Sequence, residues 1–131
     1  MKQQAIGTFE VSLRPQPLFH TNTSPLLGRM SIAKTFHGDL TATSTGEMLS
    51  ARTSVKDSAG YVAIEHIIGT LHGRKGTFVL QHSSTMTQGE GQQSITVVPD
   101  SGTDELIGLR GSLNINIKDK QHYYEFDYRL D

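Results

Sequence analysis

Apolar and polar positions alternate along most of the chain, and no apolar period of 3.6 residues lasts for three turns. This alternation is typical of strands with one buried face, and the Gly, Asp, Asn and Ser residues between the runs mark turns. The pattern therefore predicts an all-β fold. About eight strands that follow one another directly favour a single antiparallel β-barrel over a two-sheet Greek key.

The first part of the chain predicts three strands with a long loop between the first and the second. The predicted strands are residues 4–13, 29–36 and 40–54. Pro15, Pro17 and Pro25 cannot donate a backbone hydrogen bond, so they should end the first strand. Residues 14–27 are therefore predicted to form the longest loop, and Gly46 is expected to kink the third strand.

The most strand-like stretch is residues 61–82, in which two runs rich in β-branched and aromatic side chains flank the sequence GRKG. If the reversal is centred on the Arg-Lys dipeptide, Ile67 pairs with His82 and Glu65 lies diagonally opposite that histidine. Diagonal neighbours on one face have Cβ atoms about 7 Å apart or less, so the two polar side chains should meet. A slip of one residue would move His82 to the other face.

The last hairpin is defined by apolar alternation in both of its strands, which are joined by residues 118–121. The predicted pairs are Ile117 with His122, Ile115 with Tyr124 and Leu113 with Phe126. Apolar side chains meet at each of these levels, as a shared core face requires. Before this hairpin we predict a strand at residues 94–98 and a loop, PDSGTDEL, with a single helical turn that Ser101 and Asp104 would cap.

Composition excludes several classes of function. The 131 residues fit one domain spanning residues 1–131, and the net charge of −1 provides no basic surface for nucleic acid or an anionic membrane. The absence of cysteine excludes disulfides and thiolate chemistry. No apolar run approaches the ~20 residues that span a bilayer, and the first residues contain no apolar core of a signal peptide. We therefore expect a cytoplasmic protein with no membrane or nucleic-acid partner.

Several strings from residue 34 onward carry a family resemblance that covers about three quarters of the chain: KTFHGDL, GEML, YVAIEHIIGTLHGRKGTFVLQH, VVPDSGTDELIGLRG and HYYEFDYRL. Together they resemble a bacterial family known as domain of unknown function 3224, which is similar to the allene oxide cyclase and dirigent barrels. The resemblance implies one closed antiparallel barrel with a central cavity, often oligomeric. Those barrels steer a reactive small molecule without a cofactor, but their cavity residues cannot be matched to positions in this chain.

Glu65 and His82 are the candidate catalytic residues. A carboxylate beside an imidazole can act as a general acid/base pair, because burial and mutual contact are expected to move both pKa values toward neutrality. The alternative is a satisfied polar pair that fixes strand register inside a small barrel. Lys34, on an apolar strand face, either points inward toward Glu65 or an acidic ligand, or is solvated.

An aromatic lining is the second candidate feature. Tyr61, Phe78, Tyr124 and Phe126 would suit a small, mostly apolar ligand held by a few directed hydrogen bonds, although ordinary core packing explains them as well. The histidines show no HxH or HExxH spacing, so we predict no metal site. PDSGTDEL lacks the glycine pattern of a phosphate-binding loop.

Aliphatic residues also occupy the face opposite Glu65, namely Val62, Ile64, Ile68 and Val79. Such a surface is a candidate interface, and we expect a homodimer or homotrimer. Three functions remain open at this point: a barrel that binds a small apolar or amphipathic molecule in its lumen, a cofactor-independent cyclase or isomerase that uses Glu65 and His82, and a structural or interaction module with a filled barrel.

Overall fold

Eight antiparallel strands form a closed barrel in the computed structural model, which describes residues 2–19 and 26–130. The strands are β1 (Lys2–Gln16), β2 (Leu27–Gly38), β3 (Leu40–Arg52), β4 (Ala59–Leu71), β5 (Arg74–Thr87), β6 (Glu90–Val97), β7 (Arg110–Lys118) and β8 (Gln121–Arg129). Each strand pairs with the next in sequence, and β8 pairs with β1. The predicted fold class and strand number are therefore confirmed.

Strand β1 is longer than the sequence predicted, because Pro15 does not end it. The strand continues to Gln16, and Pro15 lies opposite Met30 of β2. Strand β8 pairs with β1 only between Lys2 and Phe9, so the other edge of β1 has no neighbouring strand at the proline. A residue without a backbone N–H is tolerated at such an edge. Pro25 lies outside the described residues.

The hairpin of β4 and β5 turns two residues earlier than predicted. Leu71 pairs with Arg74, so the turn is His72-Gly73, and both residues have positive φ, at 48° and 80°. A two-residue primed turn requires this conformation, which glycine adopts at little cost. His82 therefore pairs with Ala63 instead of Ile67. The partner of each residue thus changes by four positions, an even number that keeps every side chain on its face, and Glu65 remains diagonal to His82.

The hairpin of β7 and β8 has the predicted register. Its pairs include Ile117 with His122, Ile115 with Tyr124 and Leu113 with Phe126. The turn residues Asp119 and Lys120 both have positive φ, at 52° and 67°, which fits a two-residue primed turn. Both hairpins thus use the type of turn that matches the natural twist of the strands.

The connection from β6 to β7 covers one end of the barrel. It contains the predicted helical turn, a 3-10 helix at Asp104–Leu106, but the residue at its N-cap is Thr103 and no side chain caps it. Ser101, the predicted cap, instead accepts a hydrogen bond from the backbone N–H of Val79 at 3.0 Å. Thr103 exchanges further hydrogen bonds with Thr77 of β5. The connection therefore continues the sheet beside β5 and places the fully buried Leu106 at the end of the barrel that it covers.

Inward-facing side chains fill the half of the lumen next to this connection. The buried residues there include Phe36, Leu40, Ile67, Leu71, Phe78, Leu80, Leu106, Leu109, Leu113, Phe126 and Tyr128. We call this part the closed half and the opposite part the open half. In residues 2–19 and 26–130, no helix is long and apolar enough to cross a membrane.

Candidate functional site

Four buried polar side chains meet inside the barrel at the boundary between its two halves. Lys34, Ser44, Glu65 and His82 come from β2, β3, β4 and β5 in turn, and their relative exposures are 9%, 4%, 0% and 4%. Strand alternation brings them together, since Lys34 pairs with Ser44 and Glu65 is diagonal to His82. We call these four residues the polar cluster.

Glu65 is the centre of the polar cluster and accepts all of its hydrogen bonds. Its Oε1 accepts from Lys34 Nζ at 3.1 Å and contacts His82 Nε2 at 2.8 Å, and its Oε2 accepts from Ser44 Oγ at 2.5 Å. Gly46 pairs with Glu65, and a Cβ there would lie 2.2 Å from the carbonyl oxygen of Ile64. The glycine therefore lets β3 approach β4 closely at this level.

The pKa of Glu65 lies below its ordinary value of 4.5. Burial alone would raise this pKa, but the hydrogen bond from His82, the charge of Lys34 and the hydrogen bond from Ser44 outweigh burial. The expectation that the pKa of Glu65 moves up toward neutrality is therefore wrong. An ionised carboxylate only accepts hydrogen bonds, so the proton in the contact with His82 is on Nε2.

This pKa direction predicts how stability depends on pH. A carboxyl whose pKa is lower in the folded state stabilises the protein above its unfolded pKa and loses that effect as pH falls through the folded value. We expect Glu65→Gln to have its full destabilising effect from about pH 6 to pH 7 and a progressively smaller one below pH 4.5. Urea unfolding of both proteins across this range measures the difference. A difference that stays constant down to about pH 3 would contradict it.

The ammonium of Lys34 lies between its carboxylate partner and two aromatic rings. Nζ is 4.8 Å from the ring centroid of Phe9 and 5.8 Å from that of Phe36. Both distances fall within the range of cation–π attraction. Lys34 therefore points inward, as the apolar pattern of its strand suggested, and its charge is stabilised on both sides.

A cavity of about 310 Å³ occupies the open half, and two members of the polar cluster form part of its wall. Its lining residues are Phe9, Val11, Leu13, Ile32, Lys34, Met48, Tyr61, Ala63, His82, Gln93, Ile115, Ile117 and His122. Among the described residues that line it, none is acidic, because the carboxylate of Glu65 lies beneath this surface. The well-exposed Leu13 and Ile117 form its rim, so the cavity opens at one end of the barrel.

The wall between β6 and β7 is thin beside this cavity. Within the described chain, Thr96 and Ser112 form the single register pair between the two strands. Nearby, the side-chain oxygen of Gln93 accepts the backbone N–H of Ile115 at 3.0 Å, replacing a ladder hydrogen bond. The amide NH₂ of Gln93 has no hydrogen-bond partner in the described structure and belongs to the cavity wall.

The structure separates the residues that the sequence proposed as an aromatic lining. Tyr61 lines the cavity, as do Lys34 and His82. Phe78 and Phe126 stack on each other in the closed half, with ring centroids 5.8 Å apart and both side chains buried. They therefore do not line the cavity, and we leave them out of the candidate site.

Tyr124 is also part of the packed core. Its hydroxyl accepts the backbone N–H of Leu40 at 2.8 Å and lies within donating distance of the carbonyls of His37 and Leu40. Burial raises the pKa of Tyr124 above 10.0. The tyrosine thus connects β8 to the turn between β2 and β3 and is not among the residues that line the cavity.

Removing this hydroxyl should destabilise the fold. We expect Tyr124→Phe to lower the free energy of unfolding by about 1–3 kcal/mol, because it leaves the buried N–H of Leu40 without an acceptor. Tyr123→Phe, at the neighbouring, more exposed tyrosine, is the control and should change stability by less than about 0.5 kcal/mol. Denaturant unfolding compares the two. Equal effects would show that the hydroxyl of Tyr124 has no structural role.

His122 lines the same cavity as His82, whereas His37 and His72 have separate surroundings. His37 contacts Glu10, and His72 contacts Tyr128 and Asp39. In residues 2–19 and 26–130, no group of three or more His, Cys, Asp or Glu side chains is placed to hold a metal ion. His20 lies outside the described residues.

The outer face of β4 exposes about half of each of Val62, Ile64 and Ile68, and Val79 on β5 is half-buried. Leu49 of β3 pairs with Val62 and extends this apolar surface. The residues predicted to lie on one outer face do so. Self-association through them stays a prediction.

The sequence pattern did not indicate Ser44, Gln93 or His122 as site residues. Ser44 lies in a strand rich in Ser and Thr, so its composition gives no signal. Its register would have identified it, because the turn after Gly38 places it opposite Lys34. Gln93 could not be found in this way, since it completes a strand boundary that has almost no regular pairing.

Fold and site together define a small closed barrel with a one-ended cavity above a buried ion pair. The chain belongs to the family described as protein of unknown function (DUF3224), whose model matches residues 5–128. It is 48% identical to a solved DUF3224 protein of unknown function from Shewanella oneidensis MR-1, with a TM-score of 0.95 over 100% of this chain and 98% of that one. None of the curated proteins matches the sequence.

Proposed function

We propose that this protein binds a small, mostly apolar molecule in the open half of its barrel. The observation that carries the proposal is the cavity itself, which is walled by aliphatic side chains and by two polar groups with free hydrogen-bonding capacity. Ligand sites in proteins commonly combine an apolar wall with a few placed polar groups. A barrel filled throughout would support only the structural alternative.

The size of the cavity limits the ligand. Its volume of about 310 Å³ is at the lower end of the range for small-molecule sites. At roughly 30 Å³ for each water-sized group, it would hold on the order of ten non-hydrogen atoms. The proposed ligand is therefore a compact molecule, and a longer one would extend past Leu13 and Ile117 into solvent.

Native mass spectrometry of the protein purified from its own host tests this proposal. We expect a fraction of the protein to carry a small molecule that is released on denaturation. A parallel titration with 1-octanol, a neutral molecule of suitable size, should show saturable binding. Protein that carries nothing and does not bind the alcohol or other compact apolar molecules at millimolar concentration would rule out the proposed function.

A cofactor-independent isomerase is a second candidate, and the surroundings of His82 favour it. Glu65 holds Nε2, while Nδ1 has no hydrogen-bond partner among the described residues and the ring borders the cavity. Nδ1 could take a proton from a carbon beside a carbonyl and return it to another carbon of the same molecule. Lys34 would stabilise the negative oxygen formed between the two steps. Glu65, which the ligand cannot reach, would be a positioning residue.

Hydrogen–deuterium exchange separates this candidate from simple binding. With 2-heptanone as the probe in D₂O, an isomerase-like site should speed exchange of the hydrogens beside the carbonyl, and His82→Ala should abolish the acceleration. Binding of the ketone by both proteins is measured alongside. If the ketone binds and the wild type gives no acceleration over buffer, the catalytic candidate fails and the binding function stands.

A further inference from the structure

We propose that the ligand of the open half is an organic acid whose carboxylate lies against Lys34 and His82. This inference rests on the proposed binding function and adds the chemical class of the ligand. It follows from the hydrogen-bonding capacity that the polar cluster leaves unused at the cavity wall.

Lys34 provides the charge that would attract the acid. An ammonium has three N–H donors, and Glu65 takes one of them at 3.1 Å. The other neighbours of Nζ are the rings of Phe9 and Phe36, which attract the charge without being hydrogen-bond acceptors of ordinary strength. Donor capacity therefore remains at a side chain that borders the cavity.

Glu65 cannot use this capacity, because its own oxygens are already engaged. Oε1 receives Lys34 and His82, Oε2 receives Ser44, and the side chain is fully buried. A carboxylate from the cavity side would thus complete the coordination of Lys34 from the opposite direction. Charge-assisted hydrogen bonds of this kind are roughly twice as strong as neutral ones.

A second carboxylate near Glu65 is repelled unless a second positive charge is present, and His82 can provide it. When His82 is protonated, the positive charges of Lys34 and His82 balance the two carboxylates, that of Glu65 and that of the ligand. Nδ1 of His82 then becomes a hydrogen-bond donor for the ligand. The other charged or titratable groups around His82 are Glu65 on β4 and Lys34 on β2, with Tyr61 on β4 and His122 on β8 lining the same cavity. Binding of an acid should therefore be coupled to protonation of this imidazole.

The rest of the cavity wall agrees with an acid and disfavours an amine. Among the described lining residues there is no carboxylate, whereas Lys34, the amide NH₂ of Gln93 and the hydroxyl of Tyr61 can donate hydrogen bonds. The remaining surface is aliphatic and suits an unbranched chain or a small ring. Its main contributors are Val11, Leu13, Ile32, Met48, Ile115 and Ile117.

Calorimetric titration with octanoate, 1-octanol and octylamine, which differ mainly in the head group, tests the inference. We expect octanoate to bind at least about tenfold more tightly than the alcohol, and octylamine to bind most weakly. Octanoate should bind more tightly as pH falls from about 8 to 6, and titrations in buffers of different ionisation enthalpy should show proton uptake. Lys34→Met should remove the preference for octanoate, while Lys56→Met, at an exposed lysine, should retain it.

The outcomes separate this inference from the proposed function. If the alcohol binds as tightly as octanoate to the wild type, with no proton uptake, the organic-acid inference is overturned and the binding function stands. If none of the three probes binds, both are overturned. The comparison of octanoate with 1-octanol on the wild-type protein, and its pH dependence, tests the organic-acid inference even if Lys34→Met fails to fold.

Discussion

Glu65→Gln is expected to lower the free energy of unfolding by about 3–5 kcal/mol at neutral pH. The substitution keeps the shape of the side chain but removes the negative charge that balances Lys34 inside the barrel. It also replaces one carboxylate oxygen, which accepts from either two donors or one, by an amide NH₂, so at least one donor loses its acceptor. Urea unfolding at about pH 7 measures the change, with circular dichroism as the signal.

Glu47→Gln is the matched control for this substitution. Glu47 is also paired, with Arg29, but both side chains of that ion pair are well exposed. Its loss should cost less than about 1 kcal/mol, because exposed ion pairs gain little over hydration. If both substitutions lower the free energy of unfolding by the same amount, the burial of Glu65 does not increase its contribution to stability.

The pair can also be removed as a whole. Lys34→Met together with Glu65→Met should be less destabilising than the sum of the single substitutions, because no buried charge is then left without a partner. A double-mutant cycle measures this coupling. Strict additivity would mean that the 3.1 Å contact between the two side chains contributes nothing to stability.

Ala63→Leu is expected to weaken ligand binding by about tenfold to a hundredfold while leaving the barrel folded. Ala63 lies opposite His82 and forms part of the cavity wall, so a leucine there would occupy space that the ligand needs. Overpacking of a filled site costs about 1–3 kcal/mol, which corresponds to this range of affinity. Titration with 1-octanol measures the loss without involving the charges of the polar cluster.

Val62→Leu is the control, since Val62 is the adjacent residue on the exposed face of β4. It adds apolar volume to the same strand on the side away from the lumen and should leave the affinity unchanged. Equal affinities of the wild type and Ala63→Leu for the alcohol would place its binding site outside the open half.

Much of the fold follows from alternation and turn chemistry. In β7 and β8 both strands alternate clearly and a polar turn separates them, so a single register satisfies both faces, and the structure has it. In β4 and β5 the GRKG segment contains two glycines, and the conformational freedom of Gly73 places the turn two residues earlier than predicted. The predicted face of Glu65 was nevertheless correct, because the pairing changed by four residues and an even change conserves alternation.

The division of the lumen into a closed and an open half could not be predicted from the sequence. Inward-facing positions look alike along every strand, and whether the interior is full depends on which large side chains meet across it. Phe78 and Phe126 stack where β5 and β8 face each other, whereas Ala63 leaves space at the opposite end. These encounters join strands that are not neighbours in the sheet, so pairing rules give no information about them.

The pKa of Glu65 shows a similar limit. The sequence indicated the contact between Glu65 and His82, and from burial and this contact we expected the pKa of Glu65 to move up toward neutrality. The hydrogen bond from His82 itself lowers this pKa, and Lys34 and Ser44, which β2 and β3 bring to the same carboxylate, lower it further against the effect of burial. Only the assembled set of four strands determines the net direction.

A crystal structure of the protein with 8-bromooctanoate, located by the anomalous scattering of bromine, would show directly whether the open half binds an organic acid. We expect the carboxylate within hydrogen-bonding distance of Lys34 Nζ, with the bromine near the rim formed by Leu13 and Ile117. Bromine found only on the outer apolar face of β4, with the open half empty or filled by water, would contradict it.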